Sequence, residues 1–261
     1  MNIKLWENEM PMYDENIDSP NSMTAYFVPT SMFEKLPAIV ILPGGGYGGR
    51  ASKHEGEEIA KFYQSNGIHA FVVDYRLHPY KFPVPLMDAQ RAIKILKKNA
   101  DKYNIDENKI FVIGFSAGGH LASCVATMED YAKIGDEYDS ISPSVAGAIL
   151  SYAVTSAIPE DGSAPGCVAK LTDESREELE RLTTYKRVTE NTPPCFIWHT
   201  SEDNVVPMTH SLMFAEALHE KNIPVEMHIF PKGPHGVGLA KNRRDVSMWA
   251  PLTVEWIQNN F

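Results

Sequence analysis

Short apolar segments recur along the chain, separated by stretches long enough to form helices. One of them, MTAYFVP at 23–29, alternates in a way that is typical of a half-buried edge strand. Six others are almost continuously apolar, which favours strands buried on both faces of a sheet. Their sequences are PAIVILP, HAFVVDY, KIFVIGF, AGAILSY, CFIWHT and VEMHIF.

The stretches between these segments have helical patterns. Ser52 and Glu55 have the spacing of a capping box, which predicts the start of a helix that ends at Gly67. The segment PLMDAQRAIKILKKNADKY places Ala89, Ile93 and Leu96 on one helix face. Further helices are predicted for AGGHLASCVATM, MTHSLMFAEALHEKN and PLTVEWIQNNF. This alternation predicts an α/β fold, with a mostly parallel central sheet and helices on both faces.

The chain has 261 residues and is 43% hydrophobic, which suits a single domain over residues 1–261. Residues 155–194 break the rhythm, because they contain PEDGSAPG and a charged stretch, DESREELERL. We interpret this segment as a small insertion between late strands that could act as a lid over a site. A charged helix alone would more often be a solvated face.

The charge pattern excludes several classes of partner. The formal net charge is −10 and no basic cluster is present, which argues against binding to nucleic acid or to an anionic membrane. The apolar runs are too short to span a bilayer, and the first residues contain no apolar signal segment. The three cysteines are odd in number and form no C-x-x-C pair, so a reducing, cytoplasmic location is expected.

The segment GFSAG matches the motif G-x-S-x-G around Ser116. It follows an apolar strand and begins a predicted helix, which is the context that a nucleophile elbow requires. Gly114 and Gly118 leave room for the sharp turn, and the helix N-terminus favours developing negative charge. Ser116 is therefore the candidate nucleophile.

A serine hydroxyl needs a base, and the base needs an acid that orients it. Asp203 follows the strand CFIWHT, and His235 follows VEMHIF in a loop rich in glycine and proline. Both lie at carboxyl ends of late strands, where an open α/β sheet places its ligands. Glu202 is the fallback for the acid, and His120 on the helix behind the serine is interpreted as a packed core histidine.

The glycine-rich stretch ILPGGGYGG follows the first central strand. Consecutive glycines allow backbone amides to approach a substrate oxygen, so Gly45 or Gly46 is expected to form an oxyanion hole with the amide of Ala117. Tyr47 and His54 are candidate substrate contacts, although a simple surface position is the alternative for His54. The sequence lacks the glycine patterns of nucleotide sites and any cluster with metal-ligand spacing, so no cofactor and no metal are expected.

Together these residues resemble the α/β-hydrolase superfamily, and more narrowly its acetyl-esterase and carbohydrate-esterase branch, related to the hormone-sensitive-lipase-like esterases. The resemblance covers almost the whole chain and is carried by PGGGY, VDYRL, FPVPLMDAQRAI, GFSAGGHLA, SEDNVVP and GPHG. Pro43 stands where many hormone-sensitive-lipase-like enzymes have the histidine of H-G-G-G, which favours the carbohydrate-esterase branch. The resemblance implies hydrolysis of acetyl groups from sugars or xylan fragments, or of similar short acyl esters.

The sequence therefore predicts a serine carboxylesterase that acts through an acyl-enzyme on a small-molecule ester. Two alternatives stay open. One is a peptidase or amidase on the same fold, similar to an aminopeptidase or an arylformamidase, and the other is a binding protein without catalysis. A homo-oligomer is compatible with the sequence.

Overall fold

A computed structural model of the chain describes residues 1–7, 9–29, 34–161, 166–173 and 175–261. Within these residues there are eight strands: β1 Asn2–Lys4, β2 Ser22–Tyr26, β3 Leu36–Leu42, β4 His69–Val73, β5 Ile105–Phe115, β6 Gly147–Ser151, β7 Cys195–Thr200 and β8 Val225–Phe230. The same residues form seven α-helices: α1 Glu58–Ser65, α2 Val84–Lys98, α3 Ala100–Tyr103, α4 Ala117–Thr127, α5 Arg176–Arg181, α6 Thr209–Glu220 and α7 Trp249–Asn260.

The strands form one sheet in the order β1-β2-β4-β3-β5-β6-β7-β8. Strands β3 to β8 pair in parallel, whereas β1 and β2 are antiparallel to their neighbours. The predicted mostly parallel α/β sheet is confirmed. Because consecutive parallel strands end at the same edge, the loops after β3, β5, β7 and β8 meet there.

The sheet separates two apolar cores, and β3 shows how its residues divide between them. Val40 and Leu42 belong to one core, and Ile39 and Ile41 belong to the other. This alternation follows from the two-residue period of a strand, and all four side chains are fully buried. Helices therefore have to cover both faces, as the continuous apolar pattern predicts.

Helices α2, α4 and α6 pack on the first face, and α1 and α7 cover the second. The predicted face of α2, formed by Ala89, Ile93 and Leu96, is fully buried. The predicted single helix ends at Lys98 and resumes as α3, because Asn99 leaves helical geometry with φ −105° and ψ 21°. No helix within the described ranges combines the length and apolar character that a membrane crossing requires.

Two expectations about strand position are wrong. Strand β2 has the predicted half-buried alternation, but it pairs with both β1 and β4 and so is not an edge strand. Strand β8 pairs with β7 at the end of the sheet, and all six of its residues are half-buried. An apolar run shows that a strand forms, but it does not show the position of that strand in the sheet.

The predicted capping box is also wrong. Ser52–Glu57 form a π-helical turn that precedes α1, and no side chain caps it. The carboxylate of Glu55 instead accepts a hydrogen bond from the amide of Gly44, at 2.8 Å. This longer-range bond replaces the local one that the spacing suggested.

Residues between β6 and β7 contain short 3₁₀ turns and α5, in agreement with a small insertion at this point. Ser175 caps α5 by accepting a hydrogen bond from the amide of Glu178. Leu179 and Leu182 are buried, whereas the charged side chains Arg176 and Glu180 are about half exposed. Residues 162–165 of PEDGSAPG and residue 174 lie outside the described residues. A lid function for the insertion stays a prediction.

Candidate active site

Ser116 occupies a sharp turn between the end of β5 and the start of α4. Its backbone has φ 55° and ψ −119°, a conformation that costs a non-glycine residue about 1–3 kcal/mol. The turn is possible because its neighbours are small. A Cβ atom on Gly114 would lie 2.0 Å from the carbonyl oxygen of Gly118, and one on Gly118 would lie 2.1 Å from that of Leu42. The predicted strand, turn and helix around the serine are therefore present.

His235 links the serine to an acid. Its Nε2 lies 2.8 Å from the hydroxyl oxygen of Ser116, and its Nδ1 lies 2.7 Å from Oδ2 of Asp203. With Asp203 ionised, the ring takes the tautomer in which Nδ1–H donates to the carboxylate. Nε2 is then free to accept the serine proton. The structure thus brings together the three residues that the sequence places after three different strands.

Asp203 is almost completely buried, yet it is well supplied with hydrogen-bond donors. Burial alone would raise its pKa, but hydrogen bonds from His199 and His235 and from the amides of Val206 and Val205 hold the pKa of Asp203 below its ordinary value. Both amides donate to Oδ1 at 2.9 Å. The carboxylate is therefore fixed in both charge and orientation.

The fallback acid takes no part in this arrangement. Oε2 of Glu202 accepts a hydrogen bond from the amide of Gly233 at 3.1 Å. Glu202 therefore supports the loop that precedes His235 and forms no hydrogen bond or ion pair with the described ring of His235.

The glycine loop after β3 lies beside Ser116. Gly45 and Gly46 both have positive φ values, 135° and 62°, and a Cβ atom on Gly45 would lie 2.2 Å from the carbonyl oxygen of Gly49. Ala117 is the first residue of α4. Among the described residues, the amides of Gly45, Gly46 and Ala117 donate to no acceptor. Their N–H groups are therefore available to a negatively charged oxygen.

A cavity of about 530 Å³ includes Ser116 and His235 in its wall. This volume lies in the range of small-molecule sites. The other lining residues are Gly45, Gly46, Ala51, Glu55, Val154, Gly166, Cys167, Asn204, Val205, Val206, Pro207 and His210. Five of them have apolar side chains or a thiol large enough to contact an acyl chain, namely Val154, Cys167, Val205, Val206 and Pro207.

The two predicted substrate contacts do not line this cavity. Tyr47 is fully buried, and its hydroxyl lies 2.8 Å from Nδ1 of His120, so the expectation for Tyr47 is wrong. The ring of His54 is half exposed and its Nε2 lies 3.8 Å from Oε1 of Glu55. The alternative surface position for His54 agrees with this placement. His120 is a packed core histidine, as expected, since its Nε2 donates to the carbonyl oxygen of Leu182.

Sequence reasoning missed several residues of the site. Glu55 and Tyr152 hydrogen-bond each other next to the cavity, with 2.7 Å between Oε1 and the hydroxyl oxygen. Tyr152 directly follows β6, so its position at the carboxyl end of a central strand is a signal that could have found it. His210 lines the cavity from the start of α6, and its Nδ1 accepts a hydrogen bond from the amide of Thr155. No comparable pattern in the sequence marks His210.

No group of three or more histidine, cysteine, aspartate or glutamate side chains within the described ranges could hold a metal ion. The three cysteines are free thiols. Burial raises the pKa of Cys167, in the cavity wall, to about 11. This thiol is therefore protonated at neutral pH and is a poor nucleophile.

Comparisons with known proteins identify a family and a fold. The BD-FAE family model matches residues 25–218. Endo-1,4-beta-xylanase B of Butyrivibrio fibrisolvens is 38% identical over 246 residues, which are 91% of this chain and 38% of that protein. Acetylxylan esterase of Xylanibacter ruminicola is 31% identical over 208 residues, 77% of this chain and 41% of that protein. The chain therefore spans less than half the length of these curated relatives.

A solved structure matches along nearly its whole length. The acetyl ester-xyloside bifunctional hydrolase from Caldicellulosiruptor lactoaceticus has a TM-score of 0.92 and 40% sequence identity. The match covers 99% of this chain and 96% of that one. The sheet order, the serine turn and these matches lead to one conclusion: the chain has the α/β-hydrolase fold and belongs to the BD-FAE family.

Proposed function

We propose that this protein is a serine carboxylesterase that hydrolyses short-chain esters, chiefly acetyl esters of sugars or xylan fragments. The observation that carries the proposal is the hydrogen-bonded line from Ser116 through His235 to Asp203, with separations of 2.8 Å and 2.7 Å, in the wall of a cavity. Each member of this line has the chemical character that its role requires.

The first half of the reaction acylates the serine. Nε2 of His235 takes the hydroxyl proton as Oγ of Ser116 bonds to the ester carbonyl carbon, and the carbonyl electron pair moves to oxygen. The amides of Gly45, Gly46 and Ala117 donate to that oxyanion. When the carbonyl re-forms, the bond to the alcohol oxygen breaks, and the alcohol leaves with the proton from His235.

The second half releases the acid. His235 takes a proton from a water molecule, whose oxygen bonds to the acyl carbon, and the oxyanion forms again in the same place. Its collapse breaks the bond to Oγ of Ser116, which regains its proton from His235. Asp203 keeps the imidazole in the required tautomer and stabilises the imidazolium in both halves. No cofactor enters the scheme.

The substrate class rests on the cavity and on the relatives. A cavity of about 530 Å³ has more room than an acetyl group needs, so it also accommodates an alcohol of the size of a sugar. The matched proteins include an acetylxylan esterase and an acetyl ester-xyloside hydrolase, which supports an acetylated carbohydrate as substrate. Oligomeric state and cellular location stay predictions.

The test is an activity panel combined with active-site labelling. Acetylated xylo-oligosaccharides, p-nitrophenyl acetate, aminoacyl anilides and N-formylkynurenine are assayed with the wild-type protein, and a fluorophosphonate probe is followed by intact mass. We expect turnover of the acetyl esters and one label per chain, absent in Ser116→Ala. Turnover of the amides with inert esters would favour an amidase. Absence of both turnover and label would leave a binding protein.

A further inference from the structure

We infer that Glu55 is a positioning residue for the oxyanion hole, acting through Gly44, and that Tyr152 connects it to the loop that carries His235. This inference rests on the proposed function. Glu55 belongs to a π-helical turn, and the residue is 2% exposed in the wall of the cavity. Nothing in the acylation chemistry itself uses this carboxylate.

The first connection fixes the glycine loop. Oε2 of Glu55 accepts from the amide of Gly44 at 2.8 Å, and the carbonyl oxygen of Gly44 accepts from the amide of Ala51 at 2.8 Å. The peptide unit that joins Gly44 to Gly45 is planar and trans, so its N–H points opposite to its C=O. Holding Gly44 at both ends therefore sets the direction in which the N–H of Gly45 points.

The fit around Gly44 is close. A Cβ atom there would lie 2.7 Å from Oε2 of Glu55, 2.7 Å from the carbonyl oxygen of Phe115 and 3.0 Å from Cβ of Ser116. The carboxylate is thus packed against the same backbone segment that the nucleophile touches. A shift of Glu55 would move the donor loop relative to Ser116.

The second connection reaches the base. The hydroxyl of Tyr152 donates to Oε1 of Glu55 at 2.7 Å and accepts from the amide of Gly238 at 3.2 Å. The ring of Tyr152 packs edge-on against the ring of His235, with 5.0 Å between centroids. One buried carboxylate therefore joins the loop after β3 to the loop after β8, which carry the oxyanion donors and the base.

The charge environment argues against Glu55 as an ordinary ion-pair anchor. Among the described residues, no lysine or arginine forms a salt bridge with it, and its ion-pair contact is with the half-exposed His54, at 3.8 Å. Placing an acid beside the position of a developing oxyanion is electrostatically unfavourable. Its two hydrogen bonds to site elements account for its presence there.

The substitution Glu55→Gln changes the hydrogen bonds of this side chain and keeps its size and shape. Glutamine has one acceptor oxygen where glutamate has two, so if that oxygen accepts from the amide of Gly44, its NH2 group faces the hydroxyl of Tyr152, which can no longer donate to residue 55. Tyr152→Phe removes the bond to Glu55 and the bond to Gly238, and leaves the bond to Gly44 intact. Glu55→Gln and Tyr152→Phe therefore disrupt the network at different points, so one remains informative if the other fails to fold.

Each variant has a matched control. Glu57→Gln changes an exposed carboxylate two residues away, which pairs with Lys61. Tyr63→Phe removes another fully buried tyrosine hydroxyl, which hydrogen-bonds Thr253 at 2.8 Å. Both controls report the general effect of losing a charge or a buried hydroxyl.

The experiment measures kcat and KM for p-nitrophenyl acetate, the melting temperature, and the affinity for a small boronic acid that forms a tetrahedral adduct with the serine. We expect kcat to fall about 10- to 100-fold in Glu55→Gln and about 10-fold in Tyr152→Phe. These losses are smaller than the 10²–10³-fold seen when an oxyanion donor is deleted outright. We expect KM to change less than about twofold, and boronic acid affinity to fall in proportion to kcat/KM, since both report binding of the tetrahedral state.

The controls are expected to keep kcat within about twofold of the wild type, even if Tyr63→Phe melts at a lower temperature. Wild-type kcat in both Glu55→Gln and Tyr152→Phe would overturn the inference, as would losses matched by Tyr63→Phe at equal melting temperature. Ser116→Ala is assayed in parallel. Activity in that variant would contradict the proposed function itself, whereas an inactive Ser116→Ala with wild-type kcat in both Glu55→Gln and Tyr152→Phe would contradict only the positioning role.

Discussion

The hydroxyl oxygen of Ser116 lies 2.8 Å from Nε2 of His235, although 119 residues separate them in sequence. Ser116 follows β5 in the middle of the sheet, and His235 follows β8 at its edge. Because β5 and β8 run parallel, the loops that follow them lie together at the carboxyl ends of the strands. The 2.8 Å separation supports the proposed roles of Ser116 as nucleophile and His235 as general base.

Replacement of Ser116 tests this relationship most directly. Ser116→Ala removes the attacking oxygen, so kcat/KM for acetyl esters should fall about 10⁴-fold or more while the fold is retained. Steady-state kinetics and circular dichroism measure the two effects. Wild-type turnover by a pure Ser116→Ala preparation would refute the assignment of the nucleophile.

The same position also stores backbone strain. Glycine tolerates φ 55° and ψ −119° better than serine or alanine does, so Ser116→Gly should be more stable than Ser116→Ala by about 1 kcal/mol. Urea unfolding of the two inactive variants gives the difference. Equal stability would mean that the surrounding structure relaxes around the turn.

Asp203 is expected to act through the tautomer of His235. Asp203→Asn keeps the size of the side chain but lets the wrong ring nitrogen carry the proton, so kcat should fall about 10³- to 10⁴-fold. Asp161→Asn is the matched control, because Asp161 in the insertion hydrogen-bonds Ser156 and Tyr185 instead. If Asp161→Asn lost activity and Asp203→Asn kept it, the acid would have been assigned to the wrong residue.

Two glycines of the loop after β3, Gly45 and Gly49, allow a test of the oxyanion hole with a control in the same loop. Gly45→Ala would force a side chain to a φ of 135° and to 2.2 Å from the carbonyl oxygen of Gly49, so the donor amides should shift and kcat fall about 10²-fold or more. For Gly49→Ala the nearest atom is 4.0 Å from the new Cβ, and activity should be retained. Similar kinetics in both variants would argue against an oxyanion hole at Gly45.

The length of the acyl chain should distinguish a short-chain esterase from a lipase. Helix α5 of the insertion is rich in charged residues, and its Leu179 and the adjacent Leu182 are buried, so this helix exposes no apolar face of the kind that a lipid interface requires. We expect kcat/KM for p-nitrophenyl esters to peak at acetyl or propionyl and to fall by octanoyl. In an enzyme with a long acyl tunnel, burial of each additional methylene would instead stabilise the bound ester by up to about 0.8 kcal/mol. A rising trend, or activation at an oil–water interface, would identify a lipase.

Buried histidines should make stability depend on acidity. Burial lowers the pKa of His120 to about 4 and that of His210 to about 4, whereas histidine in an unfolded chain titrates near 6.5. As pH falls from about 6.5 to about 4, the unfolded chain binds protons that the folded protein does not. The free energy of unfolding should therefore decrease by up to ~1.4 kcal/mol per pH unit for each histidine.

His120→Gln tests this dependence. It should be less stable than the wild type at pH 7.5, because it loses the contact with Tyr47. Between pH 6.5 and 4.5 the free energy of unfolding of His120→Gln should depend less steeply on pH than that of the wild type. The reason is that unfolding of the variant takes up about one proton fewer. Guanidinium titrations at several pH values measure both effects, and parallel curves for variant and wild type would contradict the assignment to His120.

The sequence predicts the strand ends well, and with them the proximity of Ser116, Asp203 and His235. Each of these residues lies within five residues of the end of an apolar run, and parallel strands bring the loops after those runs to the same end of the sheet. The role of Glu55 could not be predicted in the same way. Its spacing from Ser52 matches a capping box, but the carboxylate bonds to an amide eleven residues earlier in the chain.

Tyr47 shows a second limit of sequence-based prediction. A tyrosine in a glycine-rich loop is compatible with a substrate contact, and only the tertiary structure turns its ring inward to His120. The position of β8 is a third case. Its apolar run predicts a strand, but the order of strands depends on packing between helices that lie far apart in the sequence.

The position of β8 at the end of the sheet also indicates which part of the protein unfolds first. Among the described strands β8 pairs only with β7, and its half-buried residues give it less apolar contact than the fully buried strand β6 has. Edges of this kind open at a lower free energy than the global unfolding transition. Because His235 follows this strand by five residues, mild denaturant would switch off turnover while β3, β5 and β6 keep their structure, and the loss would be reversible on dilution.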